Sequence, residues 1–160
     1  MSTHSVAVSV VISAKPAELY AALADYREAH PKIVPPAYFG PLIVEAGGTG
    51  EGTRFRTSLK LLGQATPFVA DVTEPDPGRV LTETIAATGV VTSFTIVQQA
   101  EHLSRVTIET HLPRGAGLRG LVERLLVRRL FPRIYVEELG RLAAHVGGTI
   151  VGAPDIARAG

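Results

Sequence analysis

The segment GLRGLVERLLVRRLFPRIYVEELGRLAAHV, residues 117–146, decides the architecture of this chain of 160 residues. Apolar residues such as Leu121 and Leu125 recur through it at the spacing of one helical face. A helix of this length would extend roughly 45 Å at ~1.5 Å per residue. A pair of glycines ends the pattern. Residues 1–147 are therefore predicted to form a single domain, and residues 148–160 a flexible C-terminal tail.

The remainder of the chain predicts a strand, two short helices and then a run of strands. Apolar residues alternate between Val6 and Ile12, which is typical of a half-buried strand. Pro16 favours the start of a short helix, and a second short helix is predicted within residues 26–33. Six β-rich stretches separated by short turns then predict an antiparallel meander, at residues 39–45, 53–61, 66–73, 80–85, 90–98 and 103–112.

The relative sizes of the sheet and the long helix predict how they pack. Seven strands about 4.8 Å apart give a sheet roughly 30 Å wide, whereas one helix is about 10 Å across. The sheet must therefore curl around the helix, with the two short helices closing one end. The chain has no tryptophan and only five phenylalanines, so few large side chains can fill the space between them. We expect an internal cavity lined by Phe55, Phe68, Phe94, Leu121, Leu125 and Tyr135.

Four sequence motifs, taken in order, carry a resemblance to a known superfamily. They are VVISAKPAELYAALAD at residues 10–25, GEGTRFR at 50–56, VTEPDPGRVL at 72–81 and EELGRL at 137–142. Together they resemble the START/polyketide cyclase-like superfamily (SRPBCC), the polyketide cyclase/dehydrase and lipid transport type. The resemblance implies an α+β helix-grip fold: a seven-stranded curled antiparallel sheet around a long C-terminal helix, with two short helices after the first strand.

Composition excludes several classes of function. The chain has no cysteine, so disulfides, thiolate nucleophiles and cysteine-ligated metals are excluded. The formal net charge of +1 gives no general attraction to nucleic acid. No run of 18 or more apolar residues predicts a membrane-spanning helix, and the N-terminus does not resemble a signal peptide. We expect a cytoplasmic monomer or homodimer with no integral membrane contact, no cofactor and no metal site.

Two functions of different kinds follow from a hollow helix-grip domain. The first is binding of a hydrophobic small molecule, a lipid or a polyketide-like compound, without covalent chemistry. The alternative is an enzyme of the polyketide cyclase/dehydratase kind, in which polar residues of the pocket take and return protons. The second function requires at least two polar side chains that converge inside the cavity. The sequence leaves open whether the protein is an enzyme.

Three polar residues near the predicted cavity are candidates for ligand contact. Tyr26 and Tyr38 offer hydroxyl groups, although each is more often a packing residue with a solvated tip. His30 lies near the predicted cavity mouth, where it could bind a ligand or act as a base. The alternative for His30 is a surface position in a loop.

A buried ion pair is a further expectation. Continuing the apolar spacing of the first half of the long helix reaches Arg129, and counting back from its second half reaches Arg128. One of the two is expected to lean inward, where a guanidinium needs an acceptor because it cannot lose its charge. Glu83 is an acidic residue on a central strand, and the alternation of that strand does not determine whether its side chain points inward or outward. We therefore predict that Arg128 or Arg129 pairs with Glu83 or with backbone carbonyls; the alternative is an arginine that extends past the helix edge to water.

Overall fold

The computed structural model describes residues 3–115 and 117–160, in which eight strands form one antiparallel sheet and three helices complete the chain. The strand order is β2-β3-β4-β5-β6-β7-β1-β8, so β2 to β7 form the predicted meander. The α+β helix-grip prediction is confirmed. In chain order the elements are β1 (Thr3–Ile12), α1 (Pro16–Ala24), α2 (His30–Ile33), β2 (Ile43–Ala46), β3 (Arg54–Leu61), β4 (Gln64–Asp76), β5 (Val80–Ile85), β6 (Val90–Ala100), β7 (Leu103–Pro113), α3 (Gly117–His145) and β8 (Ile150–Ala159).

The strand β1 provides a wall on which α3 packs. Val6, Val8, Val10 and Ile12 are at most 1% exposed, whereas most of the residues between them are only half-buried. Side chains of a strand point alternately to its two faces, so this alternation of apolar residues places one face in the core. The sequence pattern and the burial agree along the strand from Val6 onward.

The turn between α1 and α2 fixes the position of two residues that matter below. The carboxylate of Asp25 accepts hydrogen bonds from the backbone N–H groups of Arg27 and Glu28. The backbone carbonyl of Asp25 accepts one from the N–H of His30 at 2.8 Å. These bonds replace the helical ones that end with α1, and they turn Tyr26 and His30 toward the sheet, where both are at most 2% exposed.

The helix α3 buries a different face in its first half from the one predicted. In the second half, Tyr135, Leu139 and Leu142 are at most 6% exposed, as the spacing predicted. Five turns of 3.6 residues back from Leu139 reach Leu121, so regular helical spacing predicts that both point to the same side of α3. Leu121 and Leu125 are nevertheless 44% and 53% exposed, so the prediction that they line the cavity is wrong. In this half of the helix the buried position is that of Val127, which is 6% exposed and lies on a different side of the helix from the two leucines.

The predicted C-terminal tail is instead a strand. Residues of β8 pair antiparallel with β1, from Ser5 opposite Ala159 to Ile12 opposite Ile150, so the sheet has eight strands where seven were predicted. The backbone groups of β1 on the side away from β7 would otherwise be unpaired, and β8 satisfies them. No helix in the described part of the chain is long and apolar enough to cross a lipid bilayer.

Candidate functional site

A cavity of about 290 Å³ lies between α3, α2 and the sheet. All five phenylalanines of the chain line it, although in the sequence they are distributed from the loop before β2 to α3. The large side chains therefore surround the interior space without filling it, as the small number of aromatic residues predicted. The phenylalanines are Phe39, Phe55, Phe68, Phe94 and Phe131.

Few polar side chains line the cavity, and Glu83 is the one that contacts both Tyr26 and His30. Glu83 lies on β5 and its side chain is 15% exposed. Its Oε1 accepts a hydrogen bond of 2.7 Å from the hydroxyl of Tyr26 and lies 3.5 Å from Nε2 of His30. Burial raises the pKa of Glu83, while the neighbouring His30 and the Tyr26 hydrogen bond lower it; the net shift is upward. Burial, followed by the charge of Glu83, raises the pKa of Tyr26, so the phenol remains a donor.

The hydrogen bonds of His30 determine where its protons lie. Nδ1 is 2.7 Å from the backbone carbonyl of Leu23, which can only accept a hydrogen bond, so Nδ1 carries a proton. Nε2 therefore faces Glu83 either as a protonated donor or as a lone pair that accepts a proton from the carboxyl group. His30 and Glu83 are therefore placed so that a proton can pass between them beside the cavity. The ring is held in place by stacking on Tyr26 at 4.4 Å between centroids and by an edge contact with Phe94 at 5.7 Å.

A second carboxyl group faces the same cavity. Glu138, on α3, lines the cavity and is only 4% exposed. Burial raises the pKa of Glu138 well above its ordinary value, and the nearby Glu83 raises it further. Among the described residues, the structure gives the Glu138 side chain no hydrogen-bond or ion-pair partner. Burial thus favours the protonated, uncharged form of Glu138, in which the carboxyl has an O–H group that can donate a hydrogen bond in the interior space.

A chain of hydroxyl groups lies next to Glu83 in the cavity wall, since Thr92 on β6 is the cross-strand partner of Glu83. Tyr135 shares a hydrogen bond with Thr110, whose Oγ1 is also 2.8 Å from Oγ1 of Thr92. Burial raises the pKa of Tyr135, and the nearby Glu138 raises it further. All three hydroxyl-bearing residues line the cavity. They form a strip that can both donate and accept hydrogen bonds.

The structure brings together six of the residues that the sequence proposed for ligand contact. These are His30, Phe55, Phe68, Glu83, Phe94 and Tyr135, all of which line the cavity. Tyr26 is fully buried behind Glu83, and Tyr38 is a partly buried residue packed against the core. The lining is a matter of geometry; that these residues bind a ligand remains a prediction.

The predicted pairing of an arginine with Glu83 is wrong. Arg128 and Arg129 are both exposed, and the Glu83 carboxyl contacts Tyr26 and His30 instead. The two arginines lie on the outer side of α3, because Val127 and Phe131 occupy the inward positions of that turn. The long helix therefore contributes a carboxyl group, Glu138, to the interior and no guanidinium.

Comparison with known proteins agrees with this geometry. The family described as polyketide cyclase/dehydrase and lipid transport matches residues 3–147. The solution structure of the KanY protein is similar, with 27% identity over 92% of this chain and 100% of that chain and a TM-score of 0.76. No match was found among curated proteins.

Two further solved structures share the fold at lower identity. The Zhui aromatase/cyclase from Streptomyces sp. R1128 is 17% identical, covering 91% of this chain and 94% of that chain, with a TM-score of 0.73. Major latex-like protein 151 from Panax ginseng is 13% identical, covering 89% and 97% of the respective chains, with a TM-score of 0.63. These likenesses show the fold alone.

Proposed function

Because the chain belongs to the polyketide cyclase/dehydrase and lipid transport family, we propose that it binds a hydrophobic small molecule in the cavity between α3 and the sheet. The observation that carries this proposal is the cavity of about 290 Å³ bordered by all five phenylalanines. Protein interiors are normally packed to the density of organic crystals, so a space of this size is costly unless it has a use. Members of the family bind hydrophobic ligands or act as polyketide cyclases.

The volume of the cavity limits the size of the ligand. An apolar cavity of about 150 Å³ admits benzene. At about 290 Å³, this cavity accommodates a molecule of roughly two fused rings, or an acyl chain of similar volume. Larger ligands, including the three-ring dye N-phenyl-1-naphthylamine, require the side chains around the cavity to move apart.

A fluorescence titration tests the proposal. N-phenyl-1-naphthylamine is uncharged and brightens in apolar surroundings, so saturable brightening on titration is expected. Ala70→Leu adds volume inside the cavity, since Ala70 is fully buried and lines it; the affinity should fall at least about tenfold. Ala65→Leu makes the same change at an exposed position of the same strand and should leave binding unchanged. Equal affinity of the two variants would contradict binding in this cavity.

Acid–base catalysis is a second candidate, and the His30–Glu83 pair is the observation that favours it. An unprotonated Nε2 of His30 or an ionised Glu83 carboxylate in this pair can take a proton from a carbon next to a ligand carbonyl. The electron pair of the broken C–H bond moves onto the carbonyl oxygen to form an enolate. A proton from the same pair then returns to the carbon.

Deuterium exchange measures this step without knowledge of the natural substrate. 1-Acetonaphthone in D₂O should exchange its methyl protons faster with the protein than in buffer alone, as followed by NMR. His30→Gln should abolish the acceleration. His111→Gln, at a half-exposed position outside the cavity, is the matched control and should leave it intact. Exchange at the buffer rate with bound ketone would leave ligand binding as the only supported function.

A further inference from the structure

The polar end of the cavity has a charge composition that restricts which ligands it can accept. Two carboxyl groups, Glu83 and Glu138, face the same space. No lysine or arginine is found among the described residues that line it. His30 is the one group of this lining able to carry positive charge, and its Nε2 already contacts Glu83 at 3.5 Å. A cation is therefore not available for a second anion.

Glu138 is the group at this end that has an unused hydrogen-bonding capacity. Its neighbours are already engaged: the Tyr26 hydroxyl donates to Glu83, and the Tyr135 hydroxyl bonds with Thr110. Glu138 as a residue is 4% exposed, and its carboxyl group has no hydrogen-bond or ion-pair partner among the described residues. A buried donor left without an acceptor is unfavourable, so a ligand oxygen in the cavity would satisfy it.

A negatively charged group on a ligand would find no compensating cation in this cavity. Burial of an ionised carboxylate is costly unless a cation compensates it, and Arg128 and Arg129 are on the solvent side of α3. A ligand carboxylate would also lie near the carboxyl group of Glu83, which already contacts His30. The interior should therefore reject fatty acids and other anions of suitable size.

From this arrangement we infer that the cavity selects uncharged hydrophobic ligands that carry a hydrogen-bond acceptor at one end, and that the Glu138 carboxyl donates the hydrogen bond that binds this acceptor. Carbonyl and ether oxygens are acceptors of this kind. The inference rests on the proposed binding function, and it adds both the chemical class of the ligand and the residue that determines specificity.

Four naphthalene derivatives of nearly equal size test it by displacement of N-phenyl-1-naphthylamine at pH 7. They are 1-ethylnaphthalene, 1-acetonaphthone, 1-naphthoate and 1-naphthylmethylammonium. The ketone should bind about five- to tenfold more tightly than the hydrocarbon because it gains the Glu138 hydrogen bond. The naphthoate should bind at least about 100-fold more weakly than the ketone, because its charge is not compensated.

Substitutions of Glu138 separate hydrogen bonding from shape. Glu138→Gln keeps a donor at the same place, so the affinity for the ketone should stay within about twofold. Glu138→Leu removes the donor and should reduce the ketone to the affinity of the hydrocarbon. Glu137→Leu, at the adjacent exposed position of α3, is the matched control and should leave all four affinities unchanged.

The possible results distinguish this inference from the function on which it rests. If none of the four compounds displaces the dye, the proposed binding function fails, and this inference fails with it. If the hydrocarbon binds but the naphthoate equals the ketone, binding stands and the inference is overturned. If the ammonium compound binds most tightly and Glu138→Gln abolishes its binding, Glu138 acts as an ionised carboxylate, which also overturns the inference.

Discussion

Glu138→Gln should stabilise the protein, and the gain should grow with pH. The carboxyl group is ionised above a pKa of about 4.5 in the unfolded chain, whereas burial raises its pKa well above that value in the folded protein. Folding therefore requires the group to bind a proton at any pH between the two values. Each pH unit in that interval lowers the free energy of unfolding by about 1.4 kcal/mol. Glutamine has the same shape and does not ionise, so the variant does not incur this loss.

The expected difference is worked out from that slope. Below pH 4.5 the carboxyl is protonated in both states, and the two proteins should have nearly equal stability. Above pH 4.5 the variant should become more stable than wild type by about 1.4 kcal/mol per pH unit, until the pH passes the raised pKa of Glu138 in the folded protein. Since stable domains have only about 5–15 kcal/mol in total, such a change is easily measured. Urea unfolding followed by circular dichroism between pH 4 and pH 8 is the suitable assay, because the chain has no tryptophan.

Two comparisons make the measurement specific to Glu138. Wild type and Glu138→Gln share every other titratable group, so the pH dependence of the difference between them reports the site that contains Glu138. Glu137→Gln changes a half-exposed carboxylate that forms an ion pair of 3.8 Å with Arg141, and it should alter stability by at most about 0.5 kcal/mol at every pH. A difference between Glu138→Gln and wild type that stays constant from pH 4 to pH 8 would refute the argument that burial keeps this carboxyl protonated.

Three further predictions concern the rest of the site and the sheet. Tyr26→Phe removes the 2.7 Å hydrogen bond to Glu83 and should lower the free energy of unfolding in urea by about 1–2 kcal/mol; an unchanged value would mean that another group satisfies the carboxyl. Phe94→Ala, at a position 2% exposed, should cost about 3–5 kcal/mol in the same assay, and a loss below about 1 kcal/mol would indicate collapse of the cavity. In hydrogen-exchange mass spectrometry, amides of Ile150–Ala159 that bond to β1 should exchange at least about 100-fold more slowly than an unstructured peptide; full exchange at the first time point would restore the flexible tail.

The sequence was sufficient for the fold because its main elements have clear periods. The alternation of apolar residues in β1 and the helical spacing around Leu139 each predict which face of the element is buried, and those faces are buried in the structure. The strand β8 could not be predicted in the same way. Gly152 and Pro154 interrupt its apolar alternation, and its register with β1 shifts after Ser9. This strand is specified by the free edge of β1, which is a tertiary feature and not a local one.

The candidate site was predictable where it depended on residue size. Five phenylalanines in a chain without tryptophan leave few alternatives for the large lining residues, and Phe55, Phe68 and Phe94 line the cavity as expected. Glu138 was missed because two adjacent glutamates on a helix normally indicate a solvated face. Only the phase of α3 against the sheet distinguishes buried Glu138 from exposed Glu137. The exposed apolar stripe at the start of α3 concealed that phase.

The incorrect arginine and the buried carboxyl have a common physical explanation. An arginine in an apolar interior must keep its charge, so it needs a fixed acceptor in every state of the protein. A glutamate can bind a proton and become neutral, and it then requires only one acceptor. A carboxyl group can therefore occupy an interior position where an arginine would need a permanent partner. The helix accordingly places Arg128 outside and Glu138 inside, and the acceptor that a protonated Glu138 requires is the feature by which a ligand would be recognised.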